Sequence, residues 1–302
     1  MENFKLHPDT AIGYIHLRVA NLKEELGFYQ DLLGFKEVKK ENSSVYLSAN
    51  GQLPYRMILT EDKKAPPRLS NSTGLFHLAI RVPSRKELAK TFLRLHENNY
   101  PFHGFADHGV SEALYMADPE GNGVEIYFDR PRENWPYENG QLAMVTDPLD
   151  LDELIAELKD ERYEWQGIHP QTDIGHIHLQ VSDLGKARDF YHAALGMDVV
   201  QDTFPGALFM SAGGYHHHVG ANIWSSRGAK IADARSRGLA AYSVLIPDHA
   251  GMTDLLKRLE ENGFEPQVTG GRVFVGDGDR NRVELIFSET NNNSLRETND
   301  NR

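Results

Sequence analysis

A chain of 302 residues is long enough for about two domains, each able to bury its own core. With 40% hydrophobic residues, 25% charged residues, a net charge of −12 and no Lys/Arg-rich run, it lacks the cationic surface that a nucleic-acid backbone or an anionic membrane demands. The absence of cysteine excludes disulfides, thiolate nucleophiles, zinc fingers and iron–sulfur clusters together, so any metal must be held by His, Asp or Glu.

No apolar run approaches the ~20 residues of a membrane span, and residues 1–10 hold no signal core, so a cytoplasmic protein is expected. The first unit, GYIHLRVANLKEELGFYQDLLGF from Gly13 to Phe35, opens with an alternating strand and passes into an amphipathic helix after Asn21. A second unit begins LFHLAIRVPSRKELAKTFLRLHENN at Leu75, with its helix after Ser84. It closes on the strand GVEIYF, Gly123 to Phe128, behind a hairpin turn at DPEGNG, Asp118 to Gly123. From Asn134 to Thr172 the chain is polar, although DPLDLDELIAELKDE, Asp147 to Glu161, has the apolar spacing of a linker helix.

The third unit, GHIHLQVSDLGKARDFYHAALGM from Gly175 to Met197, repeats the first at an offset of 162 positions without a gap. Val19 and Val181, Phe28 and Phe190, Tyr29 and Tyr191, and Gly34 and Gly196 all coincide. The fourth unit, from Leu239, matches the second, places its helix after Asp248 and ends in RVELIF, Arg282 to Phe287. The polar tail Asn291 to Arg302 is expected to be disordered.

Each unit reads βαβββ, and a lone unit leaves an apolar sheet face uncovered. The expected fold class is therefore α+β, with four βαβββ modules paired into two curved-sheet domains. The expected division is 1–133 for modules one and two, 134–172 for a linker with a helix, 173–290 for modules three and four, and 291–302 for the tail.

Five residues before Val19, Val82, Val181 and Ile246, the four opening strands hold Tyr14, His77, His176 and Ala241. The closing strands of modules two and four hold Glu125 and Glu284. Two neutral imidazoles and one carboxylate bind a divalent metal and leave open positions. Neither sequence half supplies two such histidines. A metal is therefore expected in a cup shared by modules two and three, on His77, Glu125 and His176, within one chain or between the chains of a homo-oligomer. Glu284 is left as a relic or a structural acid.

Tyr115 lies ten residues before Glu125, His108 lies upstream of it, and GGYHHHVGAN puts His216, His217 and His218 at the start of a strand. Strand alternation would let His216 with His218, or His217 alone, face the metal. Plainer roles also fit each residue: core histidines for His77 and His176, a loop cap for His108, ordinary strand composition for Tyr115 and an exposed edge for the triplet. His16 and His178 are read as structural residues that face away.

GHIHLQVSDL with FYHAALG, HGVSEALYMADPEGNGVEIY, and GGYHHHVGANIW resemble the vicinal oxygen chelate superfamily, which includes glyoxalases, bleomycin resistance proteins and extradiol dioxygenases. The resemblance runs from Thr10 to Phe287 and is strongest to the bacterial catechol-2,3-dioxygenase branch. It implies an extradiol ring-cleaving dioxygenase of aromatic hydrocarbon catabolism, inserting O2 into a catechol next to the diol. It further implies Fe(II), with Mn(II) as the other candidate, on His77, His176 and Glu125. Tyr115 and His108 would donate hydrogen bonds to the bound oxygens, and His217 would be the acid/base histidine, with His216 and His218 as alternates. One departure stands out: the related enzymes keep all ligands in the C-terminal pair of modules, which Ala241 forbids here. The same scaffold also hosts metal-dependent isomerases or lyases of the glyoxalase and epimerase type, and non-catalytic proteins that sequester an aromatic drug.

Overall fold

A computed structural model describes residues 4–287 except 139 and 160–162; the polar tail lies outside the described residues. Module one comprises β1 (Ala11–Val19), α1 (Leu22–Leu26), β2 (Lys36–Glu41), β3 (Ser44–Ser48) and β4 (Met57–Glu61). Module two comprises β5 (Gly74–Arg81), α2 (Arg85–Glu97), β6 (Gly104–Asp107), β7 (Ser111–Ala117) and β8 (Gly123–Asp129). The connection carries the short ladder of β9 (Tyr137–Glu138) and β10 (Gln141–Leu142), then α3 (Leu151–Ala156). Module three comprises β11 (Asp173–Gln180), α4 (Leu184–Ala187), β12 (Asp198–Gln201), β13 (Ala207–Ser211) and β14 (Val219–Asn222). Module four comprises β15 (Gly238–Ile246), α5 (Met252–Glu261), β16 (Gln267–Thr269), β17 (Arg272–Gly276) and β18 (Arg282–Phe287).

Three helices begin where their capping residues place them. Asn21, Ser84 and Asp183 accept hydrogen bonds from the backbone N–H groups of Glu24, Glu87 and Lys186. The fourth starts later than expected, because Asp248 accepts from Gly251 N–H and holds a turn there, and α5 opens only at Met252. The linker helix is also shorter than its apolar spacing suggested: Asp150 caps it, and the left-handed backbone of Lys159 (φ 49°) follows its end. In both copies of the first repeat the helix widens into a π-helical turn, Gly27–Leu32 and Arg188–Ala194, burying Phe28 with Tyr29 and Phe190 with Tyr191. Gly34 (φ 83°) and Gly196 (φ 93°) then terminate it in the left-handed conformation that glycine tolerates best.

The strands form two eight-stranded sheets, ordered β16-β17-β18-β15-β1-β4-β3-β2 and β12-β13-β14-β11-β5-β8-β7-β6. The first joins module four to module one and the second joins module three to module two. Segments 1–133 and 173–290 are repeats in sequence, but each sheet takes one module from each, which corrects the expected pairing of module one with two and of three with four. Every opening strand sits at the edge of its own module and offers the same unpaired backbone, so the repeat alone does not choose its partner. β1 pairs antiparallel with β15, and β5 with β11. Ile15 and Leu17, Leu78 and Ile80, Ile177 and Leu179, and Val244 all belong to one apolar core. The alternate residues of the same strands line two cups. Among the described residues no helix is long and apolar enough to cross a membrane.

Candidate metal centre

The cup of the second sheet is built on the β5–β11 ladder, where His176 lies opposite Ala79 and His178 opposite His77. β8 runs beside β5 and sets Glu125 next to Ala79; β7 then places Tyr115 directly opposite Glu125. Tyr115, Glu125 and His176 thus share one row, and His77 stands one pleat away. The ladder slips register between Ile174 and His176, at Gly175. A Cβ on Gly175 would fall 1.7 Å from the Tyr127 hydroxyl, so only glycine lets the bulge aim His176 past that ring.

Both ring nitrogens converge on one oxygen. Glu125 Oε2 is 2.9 Å from His77 Nε2 and 3.1 Å from His176 Nε2. Only the His176 contact has hydrogen-bond geometry, which leaves His77 Nε2 buried without a hydrogen-bond partner. All three residues are buried, and their donor atoms lie within 4.8 Å of one another. Donors about 3 Å apart are spaced like neighbouring vertices around an ion with bonds of about 2.1 Å. An unpartnered imidazole nitrogen facing a buried carboxylate costs free energy unless something with positive charge and empty coordination sites lies between them.

Protonation favours that use. Burial alone would raise the Glu125 carboxyl, but the His176 and His77 imidazoles hold it well below the usual range. Burial lowers His176 to about 4 and drives His178 and His217 well below the usual imidazole value. At neutral pH these rings carry lone pairs beside an ionised carboxylate, the donor set a divalent cation requires.

Around these donors, His108 Nε2 is 2.7 Å from the Tyr115 hydroxyl, and His108 Nδ1 is 2.7 Å from the Val145 carbonyl. Burial, reinforced by Glu125, raises the Tyr115 hydroxyl well above its ordinary pKa. The His217 ring packs 4.1 Å from that of His176, centroid to centroid. His216 Nε2 is 2.9 Å from Asp129 Oδ1, while His218 Nδ1 accepts from Ala212 N–H and so serves the turn.

Two expectations from alternation need correction. Residues 216–218 precede β14 and are not in strand conformation, so His216 and His217 both approach His176. His178 does not face away: it stands two residues from His176 on the same strand, hence on the same face, with its ring 4.9 Å from that of His77. His16 likewise shares the face of Tyr14 and bonds to Thr60 in the other cup. The period of two, applied from His176, was the signal that finds His178. Asp129, Tyr127 and Tyr215, which close the floor of the site, carried no signal apart from lying at or near motif ends. The half-exposed Phe76 and Trp224 form an aromatic rim over His178.

Residues 11–126 and 173–288 match the family model described as the Glyoxalase/Bleomycin resistance protein/Dioxygenase superfamily. The chain is 41% identical over 276 residues to the catechol-2,3-dioxygenase of Bacillus subtilis (strain 168), covering 90% of this chain and 95% of that protein. It is 27% identical over 135 residues to biphenyl-2,3-diol 1,2-dioxygenase 3 of Rhodococcus globerulus, covering 43% of this chain and 70% of that protein. In fold it is similar to a solved protein of Bacillus subtilis subsp. subtilis str. 168, with a TM-score of 0.67 at 15% identity over 94% of this chain and 86% of that one.

Proposed function

The chain belongs to the glyoxalase/bleomycin resistance protein/dioxygenase superfamily, and from that membership we propose that it is an extradiol dioxygenase, an oxidoreductase that opens the ring of a catechol beside its diol. The observation that carries the reading is the buried convergence of His77 Nε2, His176 Nε2 and Glu125 Oε2, with His217 and the His108–Tyr115 pair around it. The similarity to the Bacillus subtilis catechol-2,3-dioxygenase supports the same substrate class, an aromatic diol with O2.

His77, His176 and Glu125 would hold Fe(II), with Mn(II) as the other candidate. Iron bound there supplies the one-electron chemistry that allows O2 to react with a closed-shell ring. The chain's own residues do the rest. His217, neutral and buried, takes the proton of a diol hydroxyl and later returns it to the departing oxygen. Tyr115 and His108 act as one unit. With His108 Nδ1–H donated to the Val145 carbonyl, His108 Nε2 accepts the Tyr115 O–H, so a single hydrogen lies between them. That unit steadies negative charge on the reacting oxygens when the hydroxyl turns toward them. Phe76, Trp224 and Phe209 close an apolar wall around His178 and keep water from the ring.

A glyoxalase-type isomerase would need a further carboxylate as base, whereas Glu125 is the one carboxylate in the donor groups found among the described residues. The test is oxygen uptake with catechol after anaerobic loading with Fe(II). Stoichiometric uptake and a yellow ring-fission product are expected. Metal binding without oxygen uptake on catechol or its alkyl derivatives would overturn the proposal.

A further inference from the structure

We propose that Asp129 and His216 are positioning residues that fix the tautomer of His217, leaving its Nε2 as a bare lone pair; this rests on the reading of His217 as the acid/base residue. Asp129 stands at the end of β8, four residues beyond Glu125. Its carboxylate accepts from the Arg81 guanidinium at 3.1 Å and from the Tyr215 hydroxyl at 3.0 Å, and its Oδ1 lies 2.9 Å from His216 Nε2.

An ionised carboxylate only accepts, so the hydrogen in the Asp129–His216 contact sits on His216 Nε2. With its ring hydrogen at Nε2, His216 then presents a lone pair at Nδ1. That atom is 2.8 Å from His217 Nδ1, and the hydrogen between the two rings must come from His217. His217 is thereby Nδ1–H, with its proton-accepting atom on the far edge of the ring. His216 is fully buried, so water does not compete for its own ring nitrogens. When His217 Nε2 takes up a diol proton, the positive ring keeps its Nδ1–H bond to His216, with the Asp129 charge behind it. No atom other than that proton changes owner.

The same histidines admit a rival arrangement. Donor atoms of His176, His216 and His217 also lie within 4.8 Å of one another, and His176 Nδ1 is buried without a hydrogen-bond partner. A second cation on those three rings would consume the lone pairs that the relay uses. The relay therefore requires a single metal equivalent per chain.

The experiment is a two-bond proton–nitrogen NMR correlation on the full chain loaded with Zn(II) as a diamagnetic probe, together with the Zn(II) stoichiometry. The wild type should bind one equivalent and show His217 protonated at Nδ1. Asp129→Asn offers His216 an amide N–H, reverses the chain and should move the His217 proton to Nε2. With Fe(II), kcat should then fall about 10²–10⁴-fold while KM changes by less than about threefold. Because Asp129 also holds Arg81 and Tyr215, His216→Asn is the companion: its amide oxygen can replace the Nδ1 lone pair, so it should keep the His217 tautomer and much more turnover than His216→Ala. Two bound equivalents, a wild-type His217 protonated at Nε2, or Asp129→Asn with tautomer and kcat unaltered would each overturn the proposal. The tautomer is read without substrate, so failure of ring cleavage and failure of the relay give different results.

Discussion

The two cups are built from equivalent strands in equivalent register, yet among the described residues only one gathers side chains that could hold a metal. Where the second sheet has His176, His77, Glu125 and Tyr115, the first has Tyr14, Ala241, Glu284 and Phe274. Both carboxylates are buried in an apolar strand. Glu125 meets two imidazole nitrogens, His77 Nε2 and His176 Nε2, whereas Glu284 meets fixed donors: Arg272 Nε donates to its Oε1 at 2.6 Å, and the Tyr14 hydroxyl donates to Oε2. A buried carboxylate is thus suited to a metal or to a structural role by what its neighbours bring. Glu284, left open between relic and structural acid by the sequence, is a structural acid.

The largest effect should come from breaking the donor set. His77→Ala or Glu125→Ala is expected to abolish both high-affinity metal binding and turnover, measured by metal content after anaerobic loading and by oxygen uptake. Retention of one equivalent of iron in either variant would refute the donor set. The converse sharpens the contrast. Ala241→His alone should leave metal content and activity unchanged, because Arg272 and Tyr14 still occupy Glu284. Tyr14→His with Ala241→His and Arg272→Ala should create a second metal equivalent in the first cup, and a count that stays at one would show that backbone shape, not side-chain chemistry, separates the cups.

Next in size, Tyr115→Phe should lower kcat by about 10–10²-fold with iron retained, since a hydrogen-bond donor to developing charge is lost but no ligand is. Phe274 already occupies the matching place in the first cup. An iron-loaded Tyr115→Phe enzyme of undiminished kcat would remove the tyrosine from the mechanism.

Much of this was legible in the sequence for a physical reason: duplication turns a single ambiguous histidine into an aligned comparison. His77, His176 and Glu125 stood out because Tyr14, Ala241 and Glu284 occupy the same places. The backbone did not label the partner of each module, since four equivalent strand edges look alike; only the reading of the histidines joined modules two and three. The roles of His216 and His178 were hidden for opposite reasons. His216 lies outside a strand, where alternation has no force, and His178 lies inside one, where a period of two counted from His176 puts both on the same face. Asp129 was invisible because its value depends on His216, Arg81 and Tyr215, which only the fold brings together.

A smaller effect is expected in the first cup. Arg272→Ala leaves the buried Glu284 with the Tyr14 hydroxyl alone, and should cost about 1–3 kcal/mol of stability without touching metal content. A denaturant midpoint equal to that of the wild type would mean solvent already satisfies Glu284.

The smallest prediction concerns the hairpins that follow each cup. Asp118 and Asp277 each take a tyrosine hydroxyl and an asparagine amide, Tyr29 with Asn122 and Tyr191 with Asn281. Only the first hairpin adds a carboxyl, Glu25, where the repeat has Ala187. Burial and the adjacent Asp118 push Glu25 up to about 9 from its ordinary 4.5. With the folded value raised, the stabilisation is full below pH 4.5 and is lost as pH climbs toward about 9, because the unfolded chain has already released that proton. Glu25→Gln keeps the shape and the neutral state at every pH. It should raise Tm by about 2–6 °C near pH 8 and leave it unchanged near pH 4, in thermal scans across that range. Parallel Tm profiles for the variant and the wild type would mean that Glu25 is ionised in the folded protein and that the two hairpins are held alike.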